Sequence, residues 1–115
     1  MEPTPLPGRP VRGSDTGRPV MAALDLLGRR WTLRVIWELH RQGTPIGFRE
    51  LRRRCDDMSS SVLSTRLTEL READIAEQTP DGAWQLTPLG TDLVTAMAPL
   101  LDWSRVWAER RERAD

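Results

Sequence analysis

Residues 48–89 contain an order of elements that only a few small folds can accommodate. Phe48, Leu51 and Cys55 lie three and four residues apart, a spacing that predicts one apolar face on a short helix. An Asp-Asp-Met-Ser turn then interrupts this pattern. Its last residue, Ser59, is placed to cap a second helix by accepting a hydrogen bond from that helix's first turn. The two helices and the turn between them predict a helix-turn-helix.

The second predicted helix has one apolar face and one face of short polar side chains. Leu63, Leu67 and Leu70, at i, i+4 and i+7, form the apolar face. The opposite face, taken at 100° per residue, collects Ser61, Thr65 and Thr68, with Ser64 and Glu72 at its edges. Serine and threonine are poorer helix formers than the long polar residues usual on a solvent face. Short hydroxyl side chains let a helix approach a DNA major groove closely, so we interpret this face as a DNA-reading surface.

A hairpin and a long helix follow. Asp81-Gly82 separates two short runs, residues 75–78 and 83–86, and this dipeptide is a strong signal for a hairpin turn. Thr87-Pro88 then opens a final helix, with the hydroxyl as N-cap and proline at the first helical position. Large apolar residues continue along it at helical spacing: Leu89, Leu93, Met97, Leu100, Trp103 and Trp107. A domain of this size has too little core to cover that stripe, so we expect a second subunit to pack on it.

Two helices are predicted ahead of the motif. Val20, Leu24 and Leu27 indicate a short helix that ends at Gly28, a position suited to a left-handed cap. Residues 31–40 carry apolar side chains on most sides, which predicts the central helix of the core. Together these elements predict a mainly α protein with a small β-hairpin, a winged helix-turn-helix that dimerises through its N- and C-terminal helices.

The N-terminal segment has a different composition. Residues 1–18 are rich in proline and glycine and have few large apolar side chains, so we expect a flexible arm ahead of a folded domain at residues 19–115. Arg9, Arg12 and Arg18 either let this arm follow a DNA minor groove or belong to an inert, solvated tail.

Composition excludes several classes of protein. The 115 residues suit one domain, and no stretch has the apolar length of a membrane span or of a signal core, so we expect a cytoplasmic protein. One cysteine, Cys55, and one histidine, His40, cannot form a disulfide framework or a convincing zinc or nucleophile site. We therefore predict no enzyme activity, no cofactor and no metal.

The formal net charge is zero, but the charges are unevenly distributed. All 17 basic residues are arginine. Residues 29–71 hold ten arginines and five acidic residues, a net charge of +5, whereas residues 72–115 hold four arginines and nine acidic residues, a net charge of −5. The basic segment contains the helix-turn-helix and can neutralise DNA phosphates. The alternative is a chance asymmetry of solvated faces.

Five sequence blocks occur in one order along most of the chain. They are Pro19-Val20 with residues 24–33, residues 48–52, Ser59 with Leu63 and Arg66-Leu67, residues 86–90, and Trp103. In these blocks, over residues 19 to about 107, the chain resembles the HxlR-type winged-helix transcription regulators of the broader MarR-like group. The resemblance implies a homodimer joined through its first and last helices. Each recognition helix would then enter one of two successive major grooves, roughly 34 Å apart.

The resemblance also implies which residues meet double-stranded DNA. The groove-facing candidates are Ser59, Ser60, Ser61, Ser64 and Thr65, and the arginine candidates are Arg49, Arg52 and Arg66. Thr68 on the hydroxyl face, and Gln78 and Thr79 in the hairpin, complete the set. Arg66 lies beside the apolar stripe, so an ion pair with a neighbouring carboxylate is an equally strong alternative for it.

Three positions depart from the pattern of the family. Redox-sensing members place a cysteine directly before the Pro-Val pair, where this chain has Arg18, and Cys55 is expected to be a small buried filler. The hairpin is short, with Asp81 at its tip where members usually carry arginine, and a carboxylate there would be repelled by phosphate. Asp74 replaces a glycine that usually ends the second motif helix.

The tryptophans raise the question of a ligand. Trp31, Trp37, Trp103 and Trp107, with Leu100, either pack the core and the interface or surround a small aromatic effector. We predict a dimeric, sequence-specific DNA-binding regulator, a repressor that such a ligand relieves. The alternative, favoured by Asp81, is a ligand-binding or protein-interaction module on a winged-helix scaffold that binds DNA weakly or not at all.

Overall fold

The computed structural model describes residues 3–114, which form five helices and one two-stranded hairpin. The elements are α1 Pro19–Leu27, α2 Thr32–Gln42, α3 Phe48–Arg54, α4 Ser60–Glu72, β1 Ala76–Gln78, β2 Trp84–Leu86 and α5 Pro88–Ala114. A mainly helical domain with a small antiparallel hairpin confirms the predicted fold class, and dimerisation through the N- and C-terminal helices stays a prediction. Within residues 3–114, no helix combines the length and the apolar character that a membrane crossing would need.

α2 lies at the centre of the core, as its dense apolar sequence predicted. It contacts α1, α3, α4, α5 and β2, and its Val35 and Ile36 are fully buried. The helix begins at Thr32 because Trp31 adopts a left-handed backbone conformation with φ of 76°. Trp37 remains exposed on α2. The other elements therefore pack around most, but not all, of this helix.

α3, a tight turn and α4 form the helix-turn-helix. The chain turns through Asp56 and Asp57, both left-handed with φ of 56° and 54°. Arg52 holds the turn by donating from Nε to the Met58 carbonyl at 2.6 Å. The hydroxyl of Ser59 caps α4 as predicted, since it accepts a backbone N–H of the first turn at 3.4 Å. These bonds fix the direction in which α4 leaves α3.

β1 and β2 form the predicted wing. They pair antiparallel, with Gln78 opposite Trp84. Residues 79–82 make the turn, and Gly82 supplies its left-handed position with φ of 87°. The backbone of Ile46, just before α3, exchanges two hydrogen bonds with Trp84 at 2.9 and 2.8 Å. The wing is thereby attached to the chain that enters the helix-turn-helix.

α5 begins at a close contact with the segment that follows α4. Thr87 caps α5 as predicted, because its hydroxyl accepts the N–H of Gly90 at 3.0 Å and donates to the Asp74 carbonyl at 2.6 Å. Asp74 has a φ of 61°, the left-handed conformation that glycine adopts most easily. Gly90 is buried, and a β-carbon at this position would overlap the carbonyl oxygen of Ile75. Glycine is therefore required at position 90.

Residues 3–18 of the N-terminal arm follow a defined path across the domain, while residues 1 and 2 lie outside the described residues. Its tight turn is closed by two backbone hydrogen bonds between Val11 and Ser14, at 2.9 and 3.0 Å. The N–H of Gly8 donates to the Gly17 carbonyl at 3.0 Å, so the two halves of the arm run side by side. A backbone N–H of the turn also donates to the Asp25 carboxylate of α1 at 3.1 Å. Flexibility of the arm in solution stays a prediction.

Candidate nucleic-acid interface

α4 separates a buried leucine face from an outer face of hydroxyl groups. Leu63, Leu67 and Leu70 are buried in the core, as their spacing predicted. The four serines proposed to face a groove are all exposed: Ser59, Ser60, Ser61 and Ser64. Thr65 and Thr68 are half-buried. We call Ser61, Ser64, Thr65 and Thr68 the hydroxyl strip.

The hydroxyl strip is partly engaged with its own helix. Thr65 donates to the carbonyl of Ser61, and Thr68 donates to the carbonyl of Ser64, each at 3.0 Å. The hydroxyl oxygens of Ser59 and Ser61 lie 2.9 Å apart. A threonine hydroxyl that donates to a carbonyl one turn earlier keeps acceptor capacity on its oxygen. The strip can therefore accept hydrogen bonds from the amino groups of adenine or cytosine in a major groove.

Two of the three arginines proposed to contact DNA have partners inside the protein. Arg52 bonds to the turn, as described above. Arg66 donates from Nε to the Arg30 carbonyl and from Nη1 to Oε1 of Glu69, both at 2.8 Å. Glu69 is buried and also pairs with Arg29. Arg66 thus makes the ion pair that the sequence allowed as the alternative, and it ties α4 to the connection between α1 and α2.

Two other arginines lie in the helix-turn-helix, and one of them borders the hydroxyl strip. Arg49 of α3 is exposed and makes no ion pair within residues 3–114. Arg71, which the sequence reasoning missed, donates from Nη1 to Oε1 of Gln78 at 3.1 Å and lies 5.7 Å from the centroid of the Trp84 ring. Its spacing of three residues after Thr68 places it on the same side of α4. A groove of about 300 Å³ between α4 and the wing includes Thr68, Arg71 and Gln78 in its walls.

A second concave region adjoins α4 on the side of the arm. It has a volume of about 370 Å³, and its walls include Arg12, Arg30, Arg66 and Thr65. Arg12 and Arg30 are exposed, and neither makes an ion pair within the described part of the chain. Both guanidinium groups can therefore meet a phosphate beside α4. The residue pattern did not predict the place of Arg30 beside α4, because it depends on how the α1–α2 connection packs against α4.

The tip of the wing is acidic. The Thr79 hydroxyl donates to the Asp81 carboxylate, and this hydrogen bond lowers the pKa of Asp81. The side chain of Gln78 donates to the Gly82 carbonyl at 3.2 Å, and the Thr79 hydroxyl accepts the Ala83 N–H at 3.1 Å. Gln78 and Thr79 are therefore engaged within the turn. The tip presents a carboxylate, which repels a phosphate backbone.

A family comparison assigns this architecture. The model of the HxlR-like helix-turn-helix family matches residues 26–112, a span that includes every element from the end of α1 to most of α5. The chain belongs to this family. None of the curated proteins compared with the chain matches it.

Solved structures of regulators share the fold of this HxlR-like protein. Quinone-bound YodB from B. subtilis is 28% identical, with 80% of this chain and 96% of that chain covered and a TM-score of 0.63. A protein assigned to the HxlR family of transcription factors, from Thermoplasma volcanium GSS1, is 27% identical, with 86% and 95% covered and a TM-score of 0.68. A regulator assigned to the MarR family, from Enterococcus faecalis V583, is 23% identical, with 91% and 99% covered and a TM-score of 0.72. The last of these supports the fold alone. The predicted winged helix-turn-helix of a transcriptional regulator is confirmed.

The single cysteine of this HxlR-like protein lies in the core. Cys55 is buried, and burial raises the pKa of its thiol to about 11. His40 is exposed, with its ring 5.6 Å from that of Trp37. Within residues 3–114, no three His, Cys, Asp or Glu side chains come together as a metal site requires. The family and fold are those of transcriptional regulators rather than enzymes.

The residues proposed for a ligand pocket lie just before α2, on α2 and on α5. Trp103 and Trp107 stack with their centroids 5.5 Å apart, and 55% and 56% of their surfaces are exposed. Leu100 is exposed as well, whereas Trp31 is half-buried against the core. A separate apolar cavity of about 370 Å³ lies between the arm, α1 and α5.

Proposed function

We propose that this HxlR-like protein is a cytoplasmic, homodimeric, sequence-specific DNA-binding regulator that represses an adjacent gene by occupying its promoter. The observation that carries the proposal is the hydroxyl strip, since Ser61 and Ser64 are exposed while Leu63 and Leu67 are buried. In a helix-turn-helix the second helix enters the major groove and reads base edges with its outward side chains. Arg30 and Arg71 lie beside the strip, and with Arg49 on α3 they supply positive charge for phosphates.

A second copy of the chain is the proposed partner along α5. The helix has 27 residues and a length of about 40 Å, and within the described chain only its Gly90 and Val94 are buried. Its exposed apolar residues include Leu100, Trp103 and Trp107. An apolar stripe of this kind on a small domain indicates an interface. A twofold axis along α5 would present two copies of α4 to successive major grooves.

Binding to the DNA upstream of the protein's own gene tests the reading surface. We expect tight binding with a steep loss of affinity as salt rises, and weaker binding to a scrambled duplex. Ser64→Asp adds a carboxylate to the hydroxyl strip and should lower affinity about tenfold or more. Thr95→Asp, at an exposed position of α5, adds the same charge away from α4 and serves as control. Equal affinities for the two variants would show that the strip does not face DNA.

Sedimentation equilibrium tests the dimer. Burial of a tryptophan side chain contributes about 2–3 kcal/mol, and a twofold interface loses this contribution in both copies. Trp107→Glu should therefore raise the dimer dissociation constant about 100-fold or more. Thr95→Glu carries the same charge change and should leave the constant nearly unchanged. A wild-type protein that stays monomeric at high micromolar concentration would contradict the proposal.

A small aromatic molecule is the proposed effector, acting near Trp31, Trp37, Leu100, Trp103 and Trp107. The stacked Trp103–Trp107 pair offers planar surface for an aromatic ring, and quinone-bound YodB supports a small planar ligand. Titration with hydroquinone, followed by tryptophan fluorescence and by DNA affinity, tests this part of the proposal. Unchanged fluorescence and unchanged affinity would remove an effector site for this class.

The acidic tip of the wing favours one alternative. Asp81 is charged and opposes a phosphate backbone, as expected of a ligand-binding or protein-interaction module with weak DNA binding. Absence of any band shift with the upstream DNA at low salt would favour this alternative over the regulator.

A further inference from the structure

The first described residues of the arm, Pro3 and Thr4, lie beside the hydroxyl strip. Pro3 and Thr4 border a cavity of about 370 Å³ whose other walls include Ser64, Thr65 and Thr68 of α4. Thr4 is only 6% exposed, although the arm contains few large apolar side chains. A segment of the same chain therefore lies beside the face proposed to read DNA and borders the same cavity.

Specific hydrogen bonds hold this end of the arm in place. Nη2 of Arg29 donates to the Pro3 carbonyl at 3.0 Å, and Arg29 also pairs with Glu69 of α4. Arg9 donates to the Thr4 carbonyl from the other half of the arm. Two consecutive carbonyl groups of the arm are thus bonded to arginines, one of which is joined directly to α4. These contacts position the backbone of the arm relative to the recognition helix.

An apolar anchor follows immediately along the chain. Pro5 is buried and Leu6 is half-buried, and with Pro7 they border the apolar cavity against α1 and α5. The arm doubles back between Val11 and Ser14, and its second half passes close to the first at Gly17. Gly17 has a φ of 70°, and a β-carbon there would overlap the backbone of Arg9. The anchor and this close approach keep residues 3–7 near α4.

We propose that residues 3–7 are an intramolecular competitor of DNA for α4, an inference that rests on the proposed function. A B-DNA major groove is about 12 Å wide, which matches the diameter of one helix with its side chains. It has no room for a second strand of protein beside Thr65 and Thr68. The arm must leave the hydroxyl strip before α4 enters the groove. The apparent affinity for DNA is therefore reduced by the fraction of molecules in which the arm is docked.

Weakening the anchor tests the competition. Leu6→Ser removes an apolar contact of the arm and should raise operator affinity about threefold or more. Pro10→Ser, at an exposed position in the same arm, is the matched control and should stay within about twofold of wild type. Gly17→Ala disrupts the return of the arm by a second route and should act in the same direction as Leu6→Ser. Circular dichroism confirms that each variant remains folded.

Thiol labelling follows the arm directly. The thiol introduced by Thr4→Cys should react slowly with a maleimide in the free protein, and Cys55 contributes no background because it is buried. Because DNA binding and docking of the arm exclude each other, DNA should release the arm as strongly as the arm weakens DNA binding. Saturating operator DNA should therefore accelerate labelling about fivefold or more. Adding Leu6→Ser should accelerate it without DNA. Labelling that DNA slows or leaves unchanged would overturn the competition.

The outcomes separate this inference from the proposed function. If wild type, Leu6→Ser and Gly17→Ala all bind operator with equal affinity while labelling is accelerated in Leu6→Ser, the arm leaves without consequence and only the competition is wrong. If none of the three binds DNA at low salt, the proposed function fails and the competition fails with it. Stronger binding by both variants supports both.

Discussion

Replacing Gly90 by alanine perturbs the contact through which α5 joins the domain. The added β-carbon would overlap the Ile75 carbonyl oxygen and lie 3.2 Å from the Leu86 side chain, so the first turn of α5 must move. Such overpacking costs about 1–3 kcal/mol. The shift also strains the two hydrogen bonds of the Thr87 hydroxyl, worth about 1 kcal/mol each. Alanine regains about 1 kcal/mol of helix propensity, so the expected net loss is about 2–4 kcal/mol.

Urea denaturation at one fixed protein concentration measures this loss. Gly90→Ala should lower the midpoint without changing the denaturant slope. Gly47→Ala is the control, because Gly47 has a φ of −71° and no atom within 4 Å of an added β-carbon. It should change the free energy of unfolding by less than about 1 kcal/mol. A Gly90→Ala protein within about 0.5 kcal/mol of wild type would refute the close contact as described.

Other perturbations follow from individual contacts. Glu69→Gln leaves Arg29 and Arg66 facing a neutral buried amide and should lower the free energy of unfolding by about 3 kcal/mol. Glu50→Gln, at a more exposed carboxylate, should lower it much less in the same denaturation assay. Asp74→Gly relieves a left-handed backbone and should raise the free energy of unfolding by about 0.5–1 kcal/mol. Cys55 should react with Ellman's reagent about 100-fold more slowly in the native protein than in urea, because burial raises its pKa to about 11 and blocks access. Hydrogen bonds from Arg53 and Arg54 lower the pKa of Glu50 from 4.5 to about 2. An NMR titration should therefore find the Glu50 carboxylate ionised down to about pH 2. Its contribution to stability is complete above pH 4.5 and is lost as pH falls toward 2.

The sequence predicted the elements that local chemistry determines. Ser59 and Thr87 cap α4 and α5 as expected, because a hydroxyl at a helix N-terminus satisfies a backbone N–H wherever the helix packs. The leucine spacing in α4 determined its buried face, and Asp81-Gly82 determined the turn of the wing. Each of these predictions depends on residues within a few positions of one another.

Features that depend on contacts between distant residues could not be predicted from the sequence. Arg52 and Arg66 bond to the carbonyls of Met58 and Arg30, and every residue carries a carbonyl, so the sequence holds no signal for such partners. Arg30 joins the surface beside α4 only through the packing of the α1–α2 connection. The path of the arm depends on Arg29, which bonds to Pro3 from 26 positions further along the chain. Residue spacing alone predicts none of these contacts.

The carboxylate of Glu69 has a consequence for how sequences of this kind can diverge. It lies buried between Arg29 and Arg66, so losing the carboxylate leaves two arginines facing each other without the counter-charge between them. Losing one arginine leaves Glu69 paired with the other. Either arginine can therefore drift alone, whereas Glu69 is expected to be lost only together with both. Among relatives, the glutamate column should vary only where both arginine columns do, while the neighbouring serines vary freely with the operator.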